Sequence, residues 1–157
     1  MATWQEFSQE APELAGRALE RFEAHRHKTM ATLRRDGGPR ISGTEAPVLG
    51  GRLYLGGMPG ALRFADLRRD PRVAVHSGSD APARWTGDAK VSGVAVEVLD
   101  PAGLEAFRAA AGEVPPGPFE LFTVDLHEVS TVSVTADQQL VVELWRPGRG
   151  VTAVRRA

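Results

Sequence analysis

Residues 53–76 read LYLGGMPGALRFADLRRDPRVAVH, and this stretch limits the architecture more than any other part of the chain. It opens as a strand at Leu53, Tyr54 and Leu55, passes through a loop holding Gly56, Gly57 and Gly60, and enters a short helix. Leu62, Phe64, Ala65 and Leu67 give that helix an apolar side, and Arg63, Arg68 and Arg69 occupy the others. Asp70-Pro71 ends it, and a new strand begins at Arg72. A glycine-rich turn that feeds a helix N-terminus is a ready anion site, because unsatisfied amides and the positive end of the helix dipole point the same way. Arg63, near the helix start, adds a planar fork suited to phosphate. The plainer reading is a tight turn with solvated arginines, and the stretch alone leaves both open.

The flanking segments predict strands. The first element is a helix begun by Pro12 and Glu13, with Leu14, Ala15, Ala18, Leu19 and Phe22 at helical spacing and Trp4 and Phe7 packing beside it. Met30 to Leu33 is a short strand, Asp36-Gly37 a hairpin turn, and residues 39–49 the return strand. Residues 52–55 then complete a three-stranded antiparallel meander. Residues 87–99 form a long strand whose valines change parity at Gly93, which predicts a bulge or barrel bend. Asp100-Pro101 starts another helix, with Leu104, Phe107 and Ala110 on one side. Residues 112–118 are too rich in Pro and Gly for regular structure. Strands at residues 119–126, 129–135 and 140–145 and an edge strand at 151–156 close the chain. About eight mostly antiparallel strands with glycine bends and three short helices favour a small closed or split barrel over a sandwich.

The totals narrow the function classes. A chain of 157 residues predicts one domain, with a helical segment at 1–27 and a barrel at 28–157. A net charge of −1 gives no global field toward nucleic acid or an anionic membrane, and neither is expected as a partner. The absence of cysteine removes disulfides, thiolate catalysis and cysteine metal sites. His25 and His27 lie two apart and cannot share a helix face, so no metal pair is expected there. No apolar run approaches the roughly 20 residues needed to span a bilayer. No signal peptide is read in the first residues, and a soluble cytoplasmic protein is the expectation. No nucleophile elbow and no H-E-x-x-H occurs, so no catalytic residue is assigned. His76 at a strand end, Glu45 and Trp85 are noted as polar or aromatic candidates.

Four pieces in this order, MATLRRDGGPRISGTE (30–45), residues 53–76, GDAKVSGVAVEV (87–98) and ELWRPGRG (143–150), resemble the pyridoxamine 5′-phosphate oxidase-like superfamily of FMN-binding split β-barrels. The resemblance spans most of the chain. It implies a mainly β, antiparallel split barrel and a homodimer with two cofactor sites between subunits. Arg40, Ile41, Ser42, Gly43, Thr44 and Glu45 would line the isoalloxazine and ribityl region. Gly56 and Gly57 would offer backbone to the phosphate, and Arg63 would stand where relatives usually have a lysine. Trp145 from the other subunit would border the ring, and Arg155 would also reach the cofactor. Asp88 takes a position where some relatives place a glutamine. Many relatives carry Ser-Arg-Lys where this chain has Ala61-Leu62-Arg63, so two polar phosphate partners have become apolar. FMN is the cofactor implied, with a deazaflavin coenzyme as the alternative and haem less favoured. The function implied is a flavin- or deazaflavin-dependent oxidoreductase acting on a small organic substrate; the alternative is a non-catalytic flavin, haem or small-molecule binder on the same barrel.

Overall fold

Thr3 opens helix α1 (Trp4–Glu10) through a reciprocal cap. Its hydroxyl accepts from the Glu6 amide, and the Glu6 carboxylate accepts from the Thr3 amide. In this computed structural model, which describes residues 1–112, 114 and 116–156, the single N-terminal helix read from the sequence is two. Pro12 lacks the N–H that would continue α1, and it begins α2 (Pro12–Ala24) instead. Strands β1 (Lys28–Leu33), β2 (Pro39–Thr44), β3 (Val48–Leu49) and β4 (Arg52–Gly57) follow, then helix α3 (Leu62–Arg69). Strands β5 (Arg72–His76) and β6 (Gly87–Glu97) precede helix α4 (Pro101–Ala111). The chain ends in β7 (Glu120–Val134), β8 (Leu140–Arg146) and β9 (Gly150–Arg156). The loop read at residues 112–118 includes Glu113 and Pro115, which lie outside the described residues.

The strand pairings are antiparallel, in the order β2-β1-β5-β6-β7. The long β7 carries β6 along one edge and two strands along the other. Its first half pairs β4, from Gly57 opposite Glu120 to Tyr54 opposite Thr123, and its second half pairs β8. β3 extends β4, and β9 extends β8. The sequence reading divided β7 in two. It is one strand because the β6–β7 ladder slips by one residue at Ser92/Gly93, passes over His127 and resumes. That is the bulge expected at Gly93, where any Cβ would strike the Asp125 carbonyl oxygen.

The meander expected from residues 30–55 does not form. Ala46 adopts a left-handed φ of 43° and Pro47 follows it, so the return strand stops at Thr44. β4 then crosses to the far side of the sheet and pairs β7 rather than β2. The sheet curls until Cα atoms of β2 and β4 come within 8 Å, yet no ladder joins them. This open seam between β2 and β4 is the split of the barrel, and α3 leaves β4 directly beside it.

Burial of apolar side chains on the inner face holds the barrel, at about 1.5–3 kcal/mol for each large residue fully removed from water. Phe64 of α3 stacks on Phe122 of β7 with ring centroids 5.3 Å apart, which fixes α3 across one end. At the other end α1 and α2 cover the sheet with Trp4, Phe7 and Phe22, all buried. Arg17 of α2 reaches β8 and donates to both Glu143 oxygens at 2.7 Å. α4 packs lightly: it buries no residue fully, and Phe107 meets Tyr54 at 5.0 Å.

Candidate functional site

The glycine loop and α3 meet as the sequence suggested. Gly57 ends β4, and the Arg63 guanidinium lies directly over it, so a side chain at position 57 would collide with Arg63 and with the Phe64 ring. Arg63 also stacks on Phe64, its guanidinium carbon 4.7 Å from the ring centroid. Its Nε is buried with no hydrogen-bond partner, and among the described residues Arg63 forms no salt bridge. The Phe64 and Ala65 amides both donate to the Ala61 carbonyl. The first-turn amides before them have no acceptor within the helix. Ala61 is the N-cap and offers no side-chain acceptor or donor, and Leu62 beside it is exposed. One positive fork and a helix start therefore meet at the end of β4, and Ala61 and Leu62 add neither a hydroxyl nor a second cation there.

Arg40 occupies the inner face of β2 and is already engaged. Its Nε donates to Asp66 Oδ2 at 2.6 Å, and the same oxygen accepts from Thr32 at 2.9 Å. Arg69 donates to the other Asp66 oxygen at 3.0 Å. Burial alone would raise the Asp66 carboxyl, but the hydrogen bonds from Arg40, Arg69 and Thr32 outweigh it and hold the group at about 2. Asp66 escaped the sequence reading because an aspartate on a short amphipathic helix reads as solvent-facing. The one available signal was its i,i+3 spacing to Arg69.

The remaining β2 positions alternate. Ser42 is half-buried and Thr44 buried, facing inward, whereas Ile41 and Gly43 face out, as does Glu45 just past the strand. The Thr44 hydroxyl is buried without a partner among the described residues. Glu45 pairs with Arg26 at 2.9 Å. β2 pairs β1 alone, so every second residue of β2 presents its amide and carbonyl to the open seam. Gly56 and Gly57 stand across that seam, half-buried.

Asp88 lies at the opposite end of the sheet from α3. It accepts from Trp85 Nε1 at 2.9 Å and from the Ser79 hydroxyl, and His76 Nε2 stands 3.9 Å away. It thus ties down the loop at residues 77–86, which also packs Gly78 against His25 and pairs Asp80 with His25 at 3.3 Å. Trp85 and His76, both singled out from the sequence, belong to this cluster.

Trp145 lies in the core of the single chain. It was expected to border a ring system across the subunit boundary, but its side chain is fully buried within its own chain. It packs on Phe7 with ring centroids 4.6 Å apart and donates to Glu10 at 3.0 Å. Its place on β8 puts it under α1, which the sequence reading did not dock there. Arg155 is exposed on β9, opposite Val141 and away from β2 within one chain. The chain therefore gathers Arg40, Ser42, Thr44, Gly56, Gly57 and Arg63 about one seam and sets Asp88, Trp145 and Arg155 apart from it.

A shallow groove of about 350 Å³ lies outside this seam, on the outer face of β1, β5 and β6. Small residues line it, among them Ala31, Ala74, Ser92 and Gly93. Among the described residues no cluster of three His, Asp or Glu side chains could hold a metal ion, and no helix is long and apolar enough to cross a membrane.

No protein-family model matches the chain, and no curated protein matches it. Solved structures do. PhzG from Burkholderia lata, in complex with tetrahydrophenazine-1-carboxylic acid, is 15% identical with a TM-score of 0.64 over 94% of this chain and 92% of that one. A pyridoxamine 5′-phosphate oxidase-related, FMN binding protein from Nostoc punctiforme is 13% identical with a TM-score of 0.61 over 100% of this chain and 98% of that one. A heme binding protein from Mycobacterium smegmatis is 16% identical with a TM-score of 0.55 over 88% and 87%. The chain has the fold of the pyridoxamine 5′-phosphate oxidase-like FMN-binding split barrels.

Proposed function

We propose that this chain is a flavin- or deazaflavin-dependent oxidoreductase acting on a small organic substrate, with its cofactor seated in the seam between β2 and β4. The observation that carries the reading is Arg63, a cation without an acidic partner among the described residues, held over side-chain-free Gly57 at the start of α3. Arg63 and the first-turn amides bind the cofactor phosphate. The open edge of β2 offers alternating amides and carbonyls to the hydrogen-bonding edge of the ring, and Ser42 and Thr44 line the approach. Arg40, held by Asp66, supports the phosphate end. The bound cofactor supplies hydride transfer, and the protein's part is to position it and exclude water.

The proposal includes a homodimer. Ile41, Met58 and Leu62 are exposed around the seam, and Val151 and Val154 are exposed on β9. A face of small side chains at Ala31, Ala74 and Ser92 gives a second chain room for close approach. A second reading, a non-catalytic binder on the same barrel, draws support from the apolar Ala61-Leu62 pair at the phosphate end. Titration of the purified protein with FMN, a deazaflavin coenzyme and haem, followed by fluorescence and absorbance, separates the two. Saturation by a flavin or deazaflavin, with reduction of the bound cofactor by a donor, supports the oxidoreductase. Haem binding alone supports the second reading, and binding of none removes both.

A further inference from the structure

This inference rests on the cofactor reading above and concerns the charge that the seam can hold. The four arginines around α3 are not equivalent. Arg40 and Arg69 share the carboxylate of Asp66. Arg68 is shared by two carboxylates, Glu97 and Glu120, the second at 2.9 Å. Arg63 has none among the described residues. Four guanidinium groups thus face three carboxylates, and the surplus is one positive charge, carried by Arg63.

Of the three carboxylates, Glu120 is the one the strand register relates to the Arg63 slot. It is the cross-strand partner of Gly57, so its side chain projects on the face where the Arg63 guanidinium lies. Its Oε1 serves Arg68, and its Oε2 is buried with no hydrogen-bond partner among the described residues. A buried carboxylate oxygen beside the Arg63 slot repels further negative charge there. The two orphaned atoms, Arg63 Nε and Glu120 Oε2, belong to residues in one slot and bracket the charge it takes. Neither Ala61 nor Leu62 supplies a polar group to offset a second negative charge.

We propose that the Arg63 slot selects a singly charged phosphoryl group, and that Glu120 is the specificity-determining residue that sets this limit. The ligand class is a phosphodiester-linked cofactor, or a phosphomonoester that has taken up one proton. A monoester carries close to two charges at neutral pH and loses the second with a pKa of about 6, whereas a diester carries one throughout. The charged groups paired around α3 are Arg68, Arg69 and Asp66 of the helix, Arg40 of β2, Glu97 of β6 and Glu120 of β7. No histidine stands among them, and the second ionisation of a phosphomonoester, at about 6, falls between about pH 5.5 and 8.

The test is fluorescence titration of the full chain with riboflavin, FMN and riboflavin 4′,5′-cyclic phosphate at pH 5.5 and pH 8. The cyclic diester keeps one charge at both. Wild type should bind FMN about tenfold more tightly at pH 5.5 than at pH 8 and bind the cyclic phosphate equally at both. Glu120→Gln should remove most of the FMN difference by strengthening binding at pH 8. The wild-type comparison of the two phosphates stands without the variant, should Glu120→Gln weaken the fold. Equal or tighter FMN binding at pH 8 overturns the proposal and leaves the cofactor reading intact, as does a well-folded Glu120→Gln with an unchanged pH ratio. Failure of all three flavins at both pH values overturns this proposal and the flavin form of the cofactor reading; failure of the deazaflavin coenzyme as well overturns the cofactor reading altogether.

Discussion

Arg40 of β2 and Asp66 of α3 meet at 2.6 Å, and this ion pair joins the edge strand of the barrel to the helix that closes its end. Asp66 is almost fully buried, with side-chain exposure of 4%, and Arg40 retains 23%. Removal of the carboxylate leaves Arg40, Arg69 and the Thr32 hydroxyl without their shared acceptor. Asp66→Ala should cost about 3 kcal/mol, the low end for breaking a buried pair because Arg40 keeps some water. Asp66→Asn, which keeps an acceptor, should cost less. Urea unfolding midpoints at pH 7 measure both.

The same carboxylate gives a pH signature. Its folded value of about 2 lies below the ordinary 3.8, so its contribution is present above pH 4 and is lost as the pH falls toward 2. The stability difference between wild type and Asp66→Asn should therefore be constant from pH 7 to about pH 5 and shrink below pH 4. Denaturant melts at pH 7, 5, 4 and 3 check it. A difference that instead grew with acidity would contradict the assignment.

Trp145 separates core from site. Trp145→Ala removes a fully buried indole and should cost about 3–5 kcal/mol. Trp145→Phe keeps most of the packing against Phe7 but leaves Glu10 without its indole donor, at a cost of about 1–2 kcal/mol. Since the ring lies within the core, Trp145→Phe should leave cofactor affinity within about twofold under conditions where it is fully folded. Thermal melts and flavin titrations on one preparation test both halves.

Much of the barrel was legible because its signals are local. The Asp36-Gly37 turn, the Asp100 cap and the Gly93 bulge each depend on a few neighbouring residues, and each is present. Pairing of β4 with β7 was not legible. Residues 52–55 read as the third strand of a meander, and the left-handed Ala46 followed by Pro47 diverts them, to partners some 70 residues away. In the site, Arg63 and Gly57 could be named from spacing, since the loop and helix adjoin in sequence. Asp66 could not, because its burial depends on Arg40 arriving from another strand. The burial of Trp145 under α1 was not legible for a related reason: which aromatic faces α1 depends on where a terminal helix docks.

Gly57 gives a prediction independent of any charge change. A methyl group there would collide with the Arg63 guanidinium and the Phe64 ring, so Gly57→Ala must displace Arg63. It should weaken phosphorylated flavins and leave riboflavin binding nearly unchanged. Equilibrium titration with FMN and riboflavin distinguishes this from general damage to the barrel.

The most direct test of the central claim, that Arg63 anchors the phosphate of a cofactor held in the β2–β4 seam, is a fluorescence titration of wild type and Arg63→Ala with FMN and with a deazaflavin coenzyme. The account predicts saturable binding of at least one by wild type, weakened about 10- to 100-fold in Arg63→Ala, as fits the loss of one charge-assisted hydrogen-bonding group. Equal binding by both proteins would contradict it and move the phosphate, and with it the cofactor, away from α3.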